Sequence, residues 1–282
     1  MQLFGGELEK IRLQKLLFLF TQRQTEKVYD FVPYKFGCFS YSVNADLTAM
    51  AQKGLLTETQ NSFALNSSTD YLHSLKENDR VILQQIKASF GTLNSNALMK
   101  YTYIYYPYWA INSTATDILS PAEQAKVCGS KPISNKTILF TIGYEGISLE
   151  EYLNRLIRND VKVLVDVRCN PLSMKYGFSK NQLKRFCENL GIRYVHFPEV
   201  GIQSEKRQKL NSQADYDLLF TDYRATNLPQ TLPVLEKIFI LLKQNQRIAL
   251  TCFEADINQC HRKHLAEAIM QLTGFDSELK HI

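Results

Sequence analysis

The sequence predicts an α/β fold, a mainly parallel sheet with helices on both faces, preceded by a smaller, mostly helical domain. Three observations carry this expectation. From Lys136 onward, short apolar runs alternate with amphipathic stretches of helical spacing, the order that builds parallel strands joined by crossover helices. Before that point the spacing is helical, with one short hairpin signal. Between the two, residues 113–136 turn polar and carry Pro121, Gly129, Ser130 and Pro132, the composition of a boundary. The expected division is therefore a first domain at 1–115, a linker at 116–136 and an α/β catalytic domain at 137–282.

The elements of the first domain follow from spacing. Leu13, Leu16, Leu17 and Phe20 recur at i, i+3, i+4 and i+7, one apolar helical face. Pro33 to Gly37 ends that pattern, and Val43, Leu47 and Met50 begin a second helix that Gly54 stops. Leu55 to Glu58 and Phe63 to Leu65 read as a short hairpin. Helix, helix, hairpin is the order of a winged-helix-like module, with a small helical packing domain as the alternative. Residues 66–100 read as further helix. The aromatic cluster Tyr101 to Trp109 is expected to fill a core between the domains rather than to stack on nucleobases.

In the second domain Thr137 to Ile142 is a buried-strand run. Ser148 and Glu151 have the spacing of a capping box for a helix with Leu149, Tyr152, Leu153, Leu156 and Ile157 on one face. Val161 to Val167 is the second strand. A helix opened by Ser179 and Gln182 follows, then a third strand at Arg193 to Phe197. Residues 201–230 lack clear periodicity and read as an irregular lid or strand-holding loop. Leu232 to Lys243 is helical, Arg247 to Phe253 is the fourth strand, and Cys260 to Leu272 is the last helix.

Composition narrows the function classes. Hydrophobic residues make up 45% of the 282 and charged residues 22%, so the chain can bury a core. No apolar run reaches the roughly 18 residues of a membrane span. The start, MQLFGGELEK, carries acids where an export signal carries bases. Six cysteines are scattered without a C-x-x-C pair, a usage that fits a reducing compartment. A cytoplasmic protein without a membrane partner is expected. Lys and Arg exceed Asp and Glu by 33 − 28 = 5, an excess that permits nucleic-acid binding without requiring it.

Ligands of an open α/β sheet bind outside the carboxyl ends of the strands, and here those ends are polar. The first delivers Tyr144 and Glu145 between glycines, and the second Asp166 and Arg168. The third delivers His196 and Glu199, and the fourth Cys252 and Glu254, followed by Cys260, His261 and Arg262. Asp166 and Arg168 lie at alternate positions on one face, where a structural ion pair is as good a reading as a catalytic one. These motifs, TIGYEG at Thr141 to Gly146, LVDVRCNP at Leu164 to Pro171 with Ser173 and Phe178, YVHFPEVG at Tyr194 to Gly201, and CFE with CHR at Cys252 to Arg262, resemble the family catalogued as domain of unknown function 488. The likeness covers about 136–282, with Val200 where a leucine is common. It implies a polar site built from these motifs and brings no activity with it. The N-terminal LQKLLFLF and PYKFGCFS resemble winged-helix-like segments of antitoxin-associated domains.

Three chemistries are weighed. The preferred one is a nucleic-acid-directed hydrolase, a DNA glycosylase-like enzyme that removes a modified base in repair or phage defence. Breaking a glycosidic bond needs an anion beside the sugar and a base for water. Glu145, Asp166, Arg168, Glu254, His261 and Arg262 are its expected catalytic residues. Tyr144, Ser173, Tyr176, His196, Glu199 and Cys260 are expected to contact substrate, Tyr144 and Tyr176 by stacking on an extruded base. Lys175, Lys180, Lys184, Arg185, Lys206, Arg207, Lys209 and Arg224 are expected to hold phosphates. The second is a thiol-dependent enzyme using Cys260, activated at a helix start beside His261 and Arg262. The third is a non-enzymatic DNA-binding regulator that senses a small ligand. No cofactor is expected, because neither G-x-x-x-x-G-K nor G-x-G-x-x-G occurs. No metal is expected either, because Cys252, Cys260, His261 and His264 match no common ligand spacing.

Overall fold

Residues 1–207 and 210–282 are described by the computed structural model; Lys209, one of the expected phosphate-holding cations, lies outside them. The chain forms two units, Met1–Lys131 and Pro132–Ile282.

The first unit combines helices with small antiparallel sheets. Its elements are β1 (Glu7–Glu9), α1 (Lys10–Thr21), β2 (Val32–Tyr34), β3 (Gly37–Phe39), α2 (Tyr41–Gln52), β4 (Leu56–Glu58), β5 (Ser62–Leu65), α3 (Glu77–Phe90), α4 (Ser95–Tyr105) and α5 (Pro121–Gly129). The helix, helix, hairpin order is present as α1, α2 and β4–β5. β1 adds to the hairpin in the order β1-β5-β4, and β2 pairs with β3 as a separate ribbon. The buried face of α1 is rotated from the expected one: Phe18 and Leu19 are buried, whereas Leu17 and Phe20 are only partly covered. The reason is aromatic. The edges of Phe31, Tyr106 and Trp109 meet Phe18 at 5.3, 5.1 and 5.4 Å, so the cluster at 101–109 fills the core of this unit. The expected linker at 116–136 holds a helix instead. Ser120 and Glu123 cap α5 reciprocally, Pro121 opens it, and Val127 is buried from it, which is enough local signal to fold nine residues.

The second unit is an α/β layer structure. Its strands are β6 (Ile138–Gly143), β7 (Val163–Asp166), β8 (Arg193–His196), β9 (Arg247–Cys252) and β10 (Glu278–His281). They pair in the order β10-β6-β9-β7-β8, and every pairing is parallel. β6, β7 and β9 are buried along their whole length, which is why they appear as largely apolar runs rather than alternating ones. The helices are α6 (Leu149–Arg158), α7 (Lys180–Asn189), α8 (Gln213–Asp222), α9 (Leu228–Gln230), α10 (Leu232–Asn245) and α11 (His261–Met270).

Strand alternation sorts these helices onto two faces. Leu139, Val163, Val165, Ile248 and Leu250 share one core with Leu235, Ile238 and Leu242 of α10 and Leu265 and Ile269 of α11. On the opposite face Tyr152 of α6 donates to Thr251 of β9 at 2.7 Å. Local details differ from the expected caps. Ser148 accepts from the Glu151 amide, but the Glu151 carboxylate accepts from Arg155 Nε at 3.0 Å. Ser179 makes no cap bond, because its hydroxyl is taken up by both backbone groups of Ser173. The segment expected to be irregular holds α8, opened by a Ser212–Asp215 capping box, and Phe220 and Tyr223 of this stretch are buried in the core. β10 is an edge strand that sequence reading passed over; its side chains are mostly exposed, so it has no apolar run. No helix among the described residues is long and apolar enough to cross a membrane.

Candidate active site

β9 lies between β6 and β7, so its carboxyl end is the middle of the rim. There the chain leaves the sheet as Phe253 and Glu254, crosses a loop and re-enters at Cys260 as α11 begins. Backbone bonds from Tyr144 and Glu145 to the Phe253 carbonyl, 3.1 and 2.9 Å, tie this exit to the turn after β6. Gly143 permits the approach: a Cβ there would lie 2.0 Å from the Glu254 carbonyl oxygen. Gly201 does the same behind the third strand, where a Cβ would lie 2.2 Å from the Cys169 amide nitrogen. The result is a cavity of about 320 Å³ lined by Tyr144, Arg168, Cys169, Asn170, Leu172, Ser173, Ile202, Ser204, Arg207, Cys252, Phe253, Glu254 and His261.

At the end of β7 the polar groups satisfy one another. Arg168 Nε and Nη2 donate to the two Asp166 oxygens at 2.8 and 2.5 Å. Its Nη1 donates to the Tyr144 hydroxyl at 2.8 Å and to the Phe178 carbonyl at 2.9 Å. Asp166 also accepts from the Arg168 amide and from the Tyr194 hydroxyl. The carboxylate is wholly buried and the guanidinium nearly so. Burial works against the Arg168 charge, but the hydrogen bonds and charge of Asp166 overcome it and raise the pKa. Burial first, then Asp166, push the Tyr194 phenol well up. Four bonds to Asp166 occupy its acceptor sites, which makes this pair a clamp joining β7, β8 and the turn after β6.

At the end of β9 the contacts centre on a sulfur atom. Cys252 Sγ faces Glu254 Oε2 at 3.4 Å and His261 Nδ1 at 3.7 Å. His261 Nε2 lies 3.1 Å from the Val167 carbonyl; a carbonyl only accepts, so Nε2 carries the proton and Nδ1 turns toward the sulfur. Glu254 pairs with Arg207. The Cys260 hydrogen bond, then the His261 and Arg207 charges, hold the Cys252 thiol below its ordinary range against burial. Burial, then the bond and charge of Cys252, push the Cys260 thiol up. The activation expected of Cys260 from its helix-start position is thus opposed by burial, and the thiolate-prone sulfur is Cys252.

The expected site residues divide accordingly. Glu254 and His261 reach the cavity. Arg168 and Tyr144 line it with their polar atoms engaged, and the Tyr144 ring is covered by Phe178 at 4.3 Å and 10°, which leaves that face no room for a base. Asp166 is sealed behind Arg168. Glu145 is exposed and accepts from the Ala255 amide at 2.9 Å, and Arg262 donates to the Glu254 and Ala255 carbonyls; both brace the loop. Ser173 lines the cavity, and its hydroxyl accepts from the Lys175 amide. Tyr176 lies over Phe186, ring centroids 6.1 Å apart. His196 spans Arg168 O and Lys180 Nζ at 2.8 and 3.0 Å. Glu199 lines a neighbouring cavity of about 410 Å³, and Cys260 is fully buried.

Most of the expected phosphate-holding cations are engaged. Lys175 donates to the Tyr144 carbonyl, Lys184 faces Glu188, Lys206 pairs with Asp222, and Arg224 donates to His264. Arg185 lies over the Phe186 ring, and Arg207 holds Glu254. Residues missed as site candidates include Asn170, Leu172 and Phe253, while Cys252 is weighed in the sequence only as a metal ligand and set aside. Cys252 and Glu254 stand at alternate positions as the fourth strand runs out, which was a readable signal. Leu172 and Met174 give a different one, apolar side chains in a polar loop that are 74% and fully exposed.

Residues 148–269 match the family model of DUF488, a domain of unknown function, so the second unit carries a DUF488 domain. The matched range includes Asp166, Arg168, Cys252, Glu254, Cys260 and His261 and leaves the turn after β6 outside. No curated protein and no solved structure matches the chain.

Proposed function

We propose that the DUF488 domain of this chain is a hydrolase that acts on a nucleotide within a nucleic acid and breaks its N-glycosidic bond, with Glu254 as the general base. The observation that carries the reading is the Glu254 carboxylate on the wall of the cavity at the end of the central strand. The volume of about 320 Å³ falls at the small end of ligand sites, which run to roughly 300–1,000 Å³. Leu172 and Phe253 line the cavity and expose apolar surface, and apolar side chains of this kind unstack and replace a displaced base. Asp166, Glu145 and Arg262 leave the catalytic set, because each already serves a structural bond.

In the reaction a water oxygen bonds to the sugar C1′ and passes a proton to Glu254. The C1′–N bond breaks, its electron pair stays on the base, and the base takes a proton from solvent. Arg207, released from Glu254 as the carboxylate turns to the water, is free to meet a phosphate.

The test incubates the full chain with duplex and single-stranded DNA containing normal and modified bases, then cleaves abasic sites with alkali. Strand breaks that disappear with Glu254→Gln support the reading. Intact strands throughout, with salt-sensitive DNA binding retained, would turn it into the regulator. A thiol-dependent enzyme is the second reading, now centred on Cys252 because its sulfur faces His261 Nδ1. It predicts inactivation by iodoacetamide at Cys252 and activity that survives Glu254→Gln.

A further inference from the structure

The contacts around Cys252, 3.4 and 3.7 Å, suit sulfur hydrogen bonds, and Cys252, Cys260 and His261 also lie close enough together to share an ion. We infer that Cys252, Cys260 and His261 bind one zinc-type divalent cation at the junction of β9 and α11. One ligand atom from each of the three lies within 4.8 Å of the others. Cys252 Sγ and His261 Nδ1 are 3.7 Å apart. Metal–sulfur and metal–nitrogen bonds of about 2.3 and 2.0–2.1 Å, meeting at a tetrahedral angle, separate such a pair by about 3.5 Å. Glu254 Oε2 lies 3.4 Å from the same sulfur but outside the three-residue group, so the fourth position is left to a water.

The surroundings suit an ion as well. His261 gives Nε2–H to the Val167 carbonyl, the outer bond that fixes a metal-binding imidazole and aims its other nitrogen inward. All three ligands are buried, and two thiolates neutralise the charge of a divalent ion, so the site carries no excess charge into the interior. Thiolate with imidazole selects zinc over magnesium or calcium. Cys252, His261 and Glu254 line the cavity, so the fourth position opens toward it. Ligand spacing hid this site in the sequence, because Cys260 and His261 are neighbours and the loop 253–259 separates them from Cys252. In the hydrolase reading, on which this last step rests, a bound ion would acidify its water, and Glu254, on the wall of the same cavity, would take the proton.

The experiment measures metal content of the full chain, purified under reducing conditions, stripped with chelator and reloaded with zinc. About one zinc per chain is expected, with a rise in melting temperature, because binding to the native state adds to its stability. Cobalt loading should give the absorption of a thiolate-to-cobalt charge transfer, a readout that needs no variant. Cys252→Ala and His261→Ala should each weaken zinc binding by at least tenfold, about the lower bound for disturbing even an outer partner, whereas Glu254→Gln retains the ion. Failure to load zinc, zinc held equally well by both variants, or a Cys252–Cys260 disulfide in the freshly purified chain would overturn the inference. Base release by a chain that fails to load zinc would overturn it while leaving the hydrolase standing. Metal without base release would do the reverse.

Discussion

Two polar clusters sit side by side at the rim of one sheet, where Asp166 of β7 is in register with Thr251 of β9. The first, Asp166 with Arg168, is saturated: four bonds reach the carboxylate and the guanidinium has partners for Nε, Nη1 and Nη2. The second, Cys252 with Glu254, Cys260 and His261, has sulfur contacts of 3.4 and 3.7 Å, one bond to the Val167 carbonyl and one ion pair to Arg207, and it opens on a cavity. Charged groups alone did not separate them, since both motifs deliver charge to the rim. What separates them is spare bonding capacity. A group whose lone pairs are all used builds the scaffold; one with capacity left over is available to a ligand.

That contrast is sharpest in stability. Asp166→Ala leaves Arg168 buried without its counter-charge, a loss of about 3–5 kcal/mol, measured as the fall in unfolding free energy in urea. A change below about 1 kcal/mol would mean the clamp is dispensable. Tyr194→Phe removes one hydrogen bond to the same buried carboxylate and should cost about 1.5–3 kcal/mol by the same measurement. Gly143→Ala pushes a methyl against the Glu254 carbonyl and should cost about 1–3 kcal/mol. It tests the joint between the two clusters, because the displaced group belongs to the reactive loop. Base release should therefore fall by more than the lost stability accounts for. Lys206→Ala breaks only an exposed pair with Asp222 and should change stability by no more than about 1 kcal/mol, a control for surface charge near the rim.

The same contrast explains what could be read from the chain. β6, β7 and β9 are buried from end to end and largely apolar, and α6 carries a sharply divided face, so their order and the parallel sheet follow from pattern. β10 is polar and exposed, α5 and α8 are short and weakly amphipathic, and only their capping residues mark them. The convergence of polar groups at the rim was legible because it depends on strand ends. The sorting into clamp and site was not. It depends on partners far along the chain: Tyr194 and the Phe178 carbonyl for one cluster, the Val167 carbonyl and Arg207 for the other.

The most direct test of the division is base release by Glu254→Gln, with urea unfolding recorded on the same preparation. The account predicts a rate at least about 100-fold below the unmodified chain, the lower range for losing a general base, with cooperative unfolding retained and the midpoint lowered only by the loss of the Arg207 pair. Full activity in that variant, or loss of activity only in step with loss of fold, would contradict the assignment of the β9 cluster as the reacting site.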